Sequence, residues 1–302
     1  MRYNALSKYL TSRFGGKVYK LALDGGMTCP NRDGRIGTDG CVFCSEGGSG
    51  DFAEPYDGDV WGMIGRAKER VRAKTRDDKF IVYFQSYTNT YAPTEYLRTL
   101  FTAAISHPSA VALSVGTRPD CLPPDVLDLL GALNAQKPVF VELGLQTVNA
   151  RTSRLIRRGY ETEVYDKAAE NLRSRGINVV THVILGLPGE TKEDMLETVR
   201  HVGRTADGIK LQLLHVLRGT ELEKMYGRGE VIPLSLEEYT ELLADCVEAL
   251  PPEIVIHRLT GDAPKRLLVA PSWSADKKRV LGAISATFER RDVGQGGNRI
   301  RI

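Results

Sequence analysis

Short apolar, β-branched runs recur along the chain with helix-patterned segments between them, and this alternation limits the folds open to it. The runs Val18–Leu23, Phe80–Phe84, Ala110–Val115, Val139–Leu143, Val179–Leu185 and Gly208–Val216 predict strands. Between them Val60–Thr75, Thr94–Ser106, Asp125–Asn134, Glu161–Arg175 and Lys192–Arg204 carry the three-to-four-residue apolar spacing of amphipathic helices. Strands separated by helical crossovers pair in parallel, so the expected class is α/β with one parallel sheet. Six units between residues 18 and 216 suit an incomplete (β/α)6 barrel better than an eight-fold closed one. A core over residues 1–254 is expected, followed by a strand-and-tail extension over 255–302 that carries Pro264, Pro271 and a glycine-rich end. In such architectures chemistry collects at the C-terminal ends of the strands.

A chain of 302 residues, 42% hydrophobic, holds one large core or two modest ones. Its net charge of +3 does not demand a nucleic-acid partner, but the charge is uneven. From Arg258 onward ten Lys/Arg face four Asp/Glu, which reads either as a solvated tail or as a polyanion-binding surface. Trp273 lies among its basic clusters Lys265-Arg266, Lys277-Lys278-Arg279 and Arg290-Arg291, in a position to stack on a splayed base. The N-terminal MRYNALSKYLTSRFGG lacks the apolar stretch of a secretory signal, and no run approaches the roughly 20 residues of a membrane span. Five cysteines, an odd count, argue against a disulfide framework and for a reducing, cytoplasmic setting where clustered cysteines mean metal or catalysis.

Three cysteines do cluster. Directly after the first strand come Thr28-Cys29-Pro30 and then Gly40-Cys41-Val42-Phe43-Cys44, followed by Gly47-Gly48, a C-x11-C-x2-C spacing. Soft thiolates suit iron–sulfur or zinc. Structural zinc wants four closed ligands, and no further Cys or His lies near the loop. Three thiolates instead suit a cubane cluster whose fourth iron takes a small chelating ligand. Cys121 and Cys246 stand alone in apolar surroundings and read as small core residues.

The loop resembles that of radical S-adenosylmethionine (radical SAM) proteins, specifically the Elp3-like branch, through Cys29-Pro30, Cys41-Val42-Phe43-Cys44 and Gly47-Gly48. Within that branch the chain is similar to the bacterial YhcC/YtqA-type subgroup, through Gln85-Ser86-Tyr87-Thr88-Asn89-Thr90-Tyr91, Gly116-Thr117-Arg118-Pro119-Asp120 and Glu142-Leu143-Gly144-Leu145-Gln146-Thr147. The resemblance covers nearly the whole chain. It implies a radical SAM enzyme with a 4Fe-4S cluster on Cys29, Cys41 and Cys44, which cleaves S-adenosyl-L-methionine reductively and abstracts hydrogen from its substrate. It also implies tRNA as a partner, with a wobble uridine side chain as substrate, and an electron donor such as flavodoxin or ferredoxin. A radical enzyme acting on a small, porphyrinogen-like molecule, and a non-catalytic metal protein that binds RNA, remain as alternatives.

The resemblance also implies cofactor contacts at the strand ends. Gln85 stands in a turn where the family commonly has a glycine-rich, amine-binding sequence. Gln146 and Arg158, twelve residues apart, resemble a Gln/Arg pair in which the Arg clamps the methionyl carboxylate and the Gln meets the ribose. The alternative is that Arg158, within Arg154-Leu155-Ile156-Arg157-Arg158, belongs to a solvated basic face. His182 stands where related enzymes carry a ribose-binding Asp, and Gly186 would give adenine a flat wall. Glu142, a carboxylate on a run expected to be buried, calls for a cationic or cofactor partner. His215, Arg218 and Tyr87 are substrate-side candidates at the mouth.

Overall fold

The computed structural model describes residues 2–75 and 77–297. An N-terminal helix α1 (Leu6–Phe14) precedes strand β1 (Tyr19–Leu23) and the long cysteine loop. Then follow α2 (Val60–Val71), β2 (Phe80–Phe84), α3 (Thr94–Ser106), β3 (Ala110–Thr117), α4 (Pro124–Asn134) and β4 (Val139–Gln146). A short α5 (Ala150–Leu155) precedes α6 (Thr162–Arg173), β5 (Asn178–Leu185), α7 (Lys192–Thr205) and β6 (Gly208–Leu213). The remainder comprises β7 (Val216–Leu217), α8 (Glu221–Gly227), α9 (Leu236–Ala249), β8 (Val255–Arg258), β9 (Leu268–Ala270) and α10 (Lys277–Arg290).

Seven strands form one sheet in the order β1-β2-β3-β4-β5-β6-β8, every pair parallel. This is the expected incomplete α/β barrel with one more strand than its sequence periodicity indicates. The seventh, β8, lies inside the expected extension, so the sheet does not end at residue 254. The run Gly208–Val216 also divides: β6 stays in the sheet while β7 leaves it to pair antiparallel with β9. Tail residues 298–302 lie outside the described part.

Side chains on alternate strand positions face the same way, so the barrel interior is stacked in layers. The lowest is apolar: Ile81, Ala112, Phe140 and Val180 pack with Leu10 of α1, which plugs that end. Two residues further along each strand the interior turns polar, with Lys20, Tyr83, Ser114, Glu142, His182 and Lys210. Above it Ala22, Gln85, Ile184 and Gln212 line an open cavity. The outward faces supply the main core, for example Leu21, Val82, Leu113, Val141, Val183 and Leu211, beneath the helices. At the mouth, α7 begins with Thr191 accepting from the Asp194 backbone N–H while Asp194 accepts from Thr191 N, a reciprocal cap that fixes the helix start.

Candidate active site

The cysteine loop is held to the strand ends at both of its limbs. Glu54 N donates to Ala22 O at 2.9 Å and Asp24 N to Glu54 O at 2.8 Å, tying its exit to β1. On the β2 side Gln85 Nε2 donates to Ser49 O at 2.8 Å, Tyr87 N to Gly48 O at 2.9 Å, and Tyr87 Oη to Glu46 O. A Cβ on Gly48, whose φ is +56°, would overlap the Tyr87 ring, so only glycine lets the loop lie there. Asn31 Nδ2 donates to Arg157 O at 2.8 Å and approaches Cys41 Sγ at 3.4 Å, while Arg32 donates to the carbonyls of Cys44 and Ser45 at 3.0 and 2.7 Å.

Cys29, Cys41 and Cys44 are free thiols on this loop, all half-buried, whereas Cys121 and Cys246 are buried elsewhere. Burial pushes the Cys41 thiol up to about 12 and the Cys44 thiol upward as well. The protein therefore does not itself hold the Cys41 and Cys44 sulfurs as thiolates; bound iron would take the place of their protons. Among the described residues no three His, Cys, Asp or Glu side chains converge on a single-ion site. Three thiols on one loop are a donor set that suits a cubane, which takes one thiolate per iron.

Under the loop opens a cavity of about 960 Å3, lined by Gln85, Gln146, His182 and His215 among the expected site residues. Gln146 has φ +64°, and its Nε2 lies 2.6 Å from where a Cβ on Gly144 would stand, so Gly144 gives the amide its space. The β4–β5 register shifts at this point, turning Gln146 inward. His215 has a buried Nε2 without a hydrogen-bond partner, and burial pushes its imidazole down to about 4.

Other expected contacts lie elsewhere. Arg158 is 1% exposed and points into the protein: it donates to the carbonyls of Leu145 at 3.0 Å, Thr147 at 2.6 Å and Tyr160 at 2.9 Å, and to Thr162 Oγ1 at 3.3 Å. Four of its donors are thus directed at protein acceptors, and the side chain lies outside the cavity lining. Gly186, φ +87°, lies so close to Leu234 that a Cβ there would stand 3.3 Å from it, and it donates its N–H to Met195 Sδ, so it makes room for a side chain of the same protein. Tyr87 is spent on the cysteine loop, and Arg218 is exposed on the β7–β9 ribbon outside the cavity lining. In the C-terminal segment Trp273 is half-buried, with Nε1 donating to Leu234 O at 3.1 Å and its ring against Tyr239, so it is tied into the fold.

Glu142 lies at the centre of the polar layer, fully buried. Lys20 and Lys210 bind its two oxygens from β1 and β6, Ser114 Oγ donates at 2.8 Å, and His182 Nε2 lies 2.7 Å away. Its expected cationic partners are thus lysines of the chain, and they leave no carboxylate oxygen for a cofactor. Burial alone would push Glu142 up; the two lysines and His182 outweigh it and hold the carboxyl well below its ordinary range. Burial, reinforced by Lys210, brings His182 down to about 4, so the ring is neutral and Nε2–H donates to the carboxylate. Lys210 is brought down to about 7 by burial despite Glu142, and it stacks 4.7 Å from the Tyr83 ring centroid. Sequence reasoning missed Lys20 and Lys210, although a lysine inside an apolar strand run was a visible signal. It also missed Asn31, Arg32 and Tyr160, whose Oη donates to Gly144 O and whose ring lies between Arg118 and Arg158 at 4.9 and 4.6 Å.

The sequence profile of the Radical SAM superfamily matches residues 31–202, and that of the Radical_SAM C-terminal domain matches 206–290. The chain belongs to the radical SAM superfamily. It is therefore an enzyme of the class that uses a 4Fe-4S cluster and S-adenosylmethionine. Bacillus subtilis YtqA is 46% identical over 296 residues, 98% of this chain and 92% of that protein. The tRNA uridine(34) acetyltransferase of Methanocaldococcus infernus is 30% identical over 163 residues, 53% of this chain but only 30% of the other. The solved structure of M. infernus Elp3 lacking its N-terminus superposes with a TM-score of 0.69 at 21% identity, over 91% of this chain and 63% of that one. This radical SAM chain thus shares the barrel of the longer enzymes and spans only part of their length. No helix among its described residues is long and apolar enough to cross a membrane.

Proposed function

We propose that this radical SAM enzyme abstracts a hydrogen atom from the side chain of a wobble uridine in tRNA. The observation that carries the reading is the cysteine loop poised over an open cavity of about 960 Å3, which has room for a nucleoside turned out of its stack. Similarity to tRNA uridine(34) acetyltransferases supports the choice of RNA base.

Cys29, Cys41 and Cys44 would hold the 4Fe-4S cluster. When bound, the cluster and S-adenosylmethionine supply a 5′-deoxyadenosyl radical through reductive cleavage of the carbon–sulfur bond, the electron coming from a flavodoxin or ferredoxin. The residues of the chain bind and orient. Gln85 and Gln146 present amides to the cavity beside the loop, where they would meet the amine and hydroxyl groups of the cofactor. Neutral His182, fixed by Glu142, offers a polar ring edge without a charge. His215 and Arg258 face the cavity from the β6–β8 side, nearest the space left for substrate. Phe43, Leu214 and Leu217 give apolar walls that exclude water from the reacting centre.

The test is anaerobic reconstitution followed by measurement of 5′-deoxyadenosine formation with and without bulk tRNA. The reading expects tRNA to raise the yield severalfold. Turnover with a small molecule, indifferent to RNA, would overturn it.

A further inference from the structure

Three cysteines hold an iron–sulfur cluster, but they do not by themselves fix how readily it accepts an electron. Hydrogen bonds to the sulfurs and charge beside them set that potential. Two such groups follow Cys29 in the chain. Asn31 is 4% exposed, and its Nδ2 lies 3.4 Å from Cys41 Sγ. The same nitrogen donates to Arg157 O at 2.8 Å, which fixes the direction of the amide. On its other side a Cβ on Gly159, whose φ is +83°, would stand 2.9 Å from Asn31 Oδ1, so glycine there gives the amide its place.

Arg32 serves the next cysteine. Its guanidinium acts on the Cys44 sulfur both through space and through a hydrogen bond. Nη2 is anchored on Cys44 O and Ser45 O, the Tyr87 ring lies 5.8 Å away, and a Cβ on Gly40 would stand 3.0 Å from Nε. Among the described residues no carboxylate pairs with Arg32, so its charge reaches the sulfurs uncompensated. Arg118, the other cation that acts on Cys41 and Cys29, differs: Asp120 takes its Nε and Nη2 at 2.9 and 2.8 Å and cancels most of its charge.

We propose that Asn31 and Arg32 tune the iron–sulfur centre, donating to the Cys41 and Cys44 sulfurs and so raising the reduction potential of the cluster. Reduction adds one electron, taken from a flavin or iron–sulfur protein that is itself oxidised by one electron, and no bond or proton moves at either residue. The added negative charge is shared by the sulfurs. A donor and a cation beside them therefore stabilise the reduced form more than the oxidised one. The inference rests on the cluster assignment to the three cysteines and is independent of the substrate.

Redox titration with dithionite, followed by electron paramagnetic resonance on the reconstituted full chain without S-adenosylmethionine, tests it. Arg32→Gln should shift the reduction equilibrium at least about ten-fold toward the oxidised form, ~59 mV for a one-electron couple, and Arg32→Lys should recover most of that. Asn31→Leu should shift it about three-fold, or ~28 mV. Arg35→Gln, exposed on the same loop, should stay within about 1.5-fold of wild type, because solvent screens its charge. Wild-type potentials in Arg32→Gln and Asn31→Leu overturn the inference, and an Arg32→Lys potential as low as that of Arg32→Gln overturns the role of the charge. If only one of the two variants binds iron, its potential decides. If neither does, the residues are supports of the loop and the inference falls. A wild type that takes up no iron overturns the cluster assignment itself.

Discussion

Arg158 grips the backbone on both sides of Gln146, its Nη1 reaching the carbonyl oxygens of Leu145 at 3.0 Å and Thr147 at 2.6 Å. Tyr160 adds a bond to Gly144 O from the same side. Gln146 can therefore hold φ +64° and turn its amide into the cavity. Arg158 is a positioning residue for Gln146, and the two act in series, one behind the other.

Arg158→Ala should accordingly behave as a folding lesion first. Three carbonyls lose a charge-assisted bond in a buried site, and roughly 3 kcal/mol or more of stability should go with them. Gln146→Ala should weaken S-adenosylmethionine affinity while leaving the melting temperature within a few degrees of wild type. Thermal melts and cofactor titration on both variants decide the order of action. An Arg158→Ala protein with wild-type stability and no cofactor affinity would make Arg158 a direct ligand.

Glu142 is the carboxylate on which the polar layer depends. Glu142→Gln should cost about 3–5 kcal/mol, the usual result of leaving two buried ammonium groups without their counter-charge. Lys210→Met should cost less, because Lys20 and His182 remain. Urea unfolding of the two variants gives the comparison, and a Glu142→Gln loss smaller than that of Lys210→Met would contradict the assigned hierarchy.

The same layer sets a pH dependence. His182 sits at about 4 in the fold against 6.5 when free, so across that interval the unfolded chain binds a proton the folded chain refuses. Glu142, held below its ordinary 4.5, has the same sign below that pH. Lys210, at about 7 against 10.5, again leaves the unfolded state with more protons between those values. Stability should rise from pH 4 to 6.5 and rise again above 7. The second rise should vanish in Lys210→Met. A flat profile above pH 7 in the wild type would mean that Lys210 keeps its ordinary affinity for protons.

Most of the barrel was legible because each strand run keeps an apolar outward face rich in β-branched residues and leucine, and each helix has one apolar stripe. A strand after residue 254 was expected, but not its place beside β6 in the main sheet, since Val255–Arg258 is only four residues long and ends in His257 and Arg258 before a proline-containing stretch. Helix α1 shows no acidic first turn and only one fully buried residue, Leu10, so nothing in its composition marks it as a plug. At the site, the three cysteines were readable from spacing and chemistry. Arg158 was not, because a sequence does not tell whether an arginine fork faces the cavity or the backbone behind it. The Arg290 and Arg291 pair looked like free charge until α9 brought three acidic side chains beside it.

The loop that carries the cysteines should depend on Gly48. Gly48→Ala places a Cβ against the Tyr87 ring at a positive φ, and both effects push the loop off β2. Iron retained after anaerobic reconstitution should fall severalfold in this variant while the melting temperature changes little, since the core lies elsewhere. Full iron loading would show that the loop is not held in this way.

The most direct measurement is iron content and 5′-deoxyadenosine formation after anaerobic reconstitution of single cysteine variants. Wild type, Cys121→Ala and Cys246→Ala should each take up about four irons per chain, show the visible iron–sulfur absorption and cleave S-adenosylmethionine. Cys29→Ala, Cys41→Ala and Cys44→Ala should each lose the absorption and the cleavage together. A chain without Cys29, Cys41 and Cys44 that still assembled the cluster and cleaved the cofactor would contradict the account at its root.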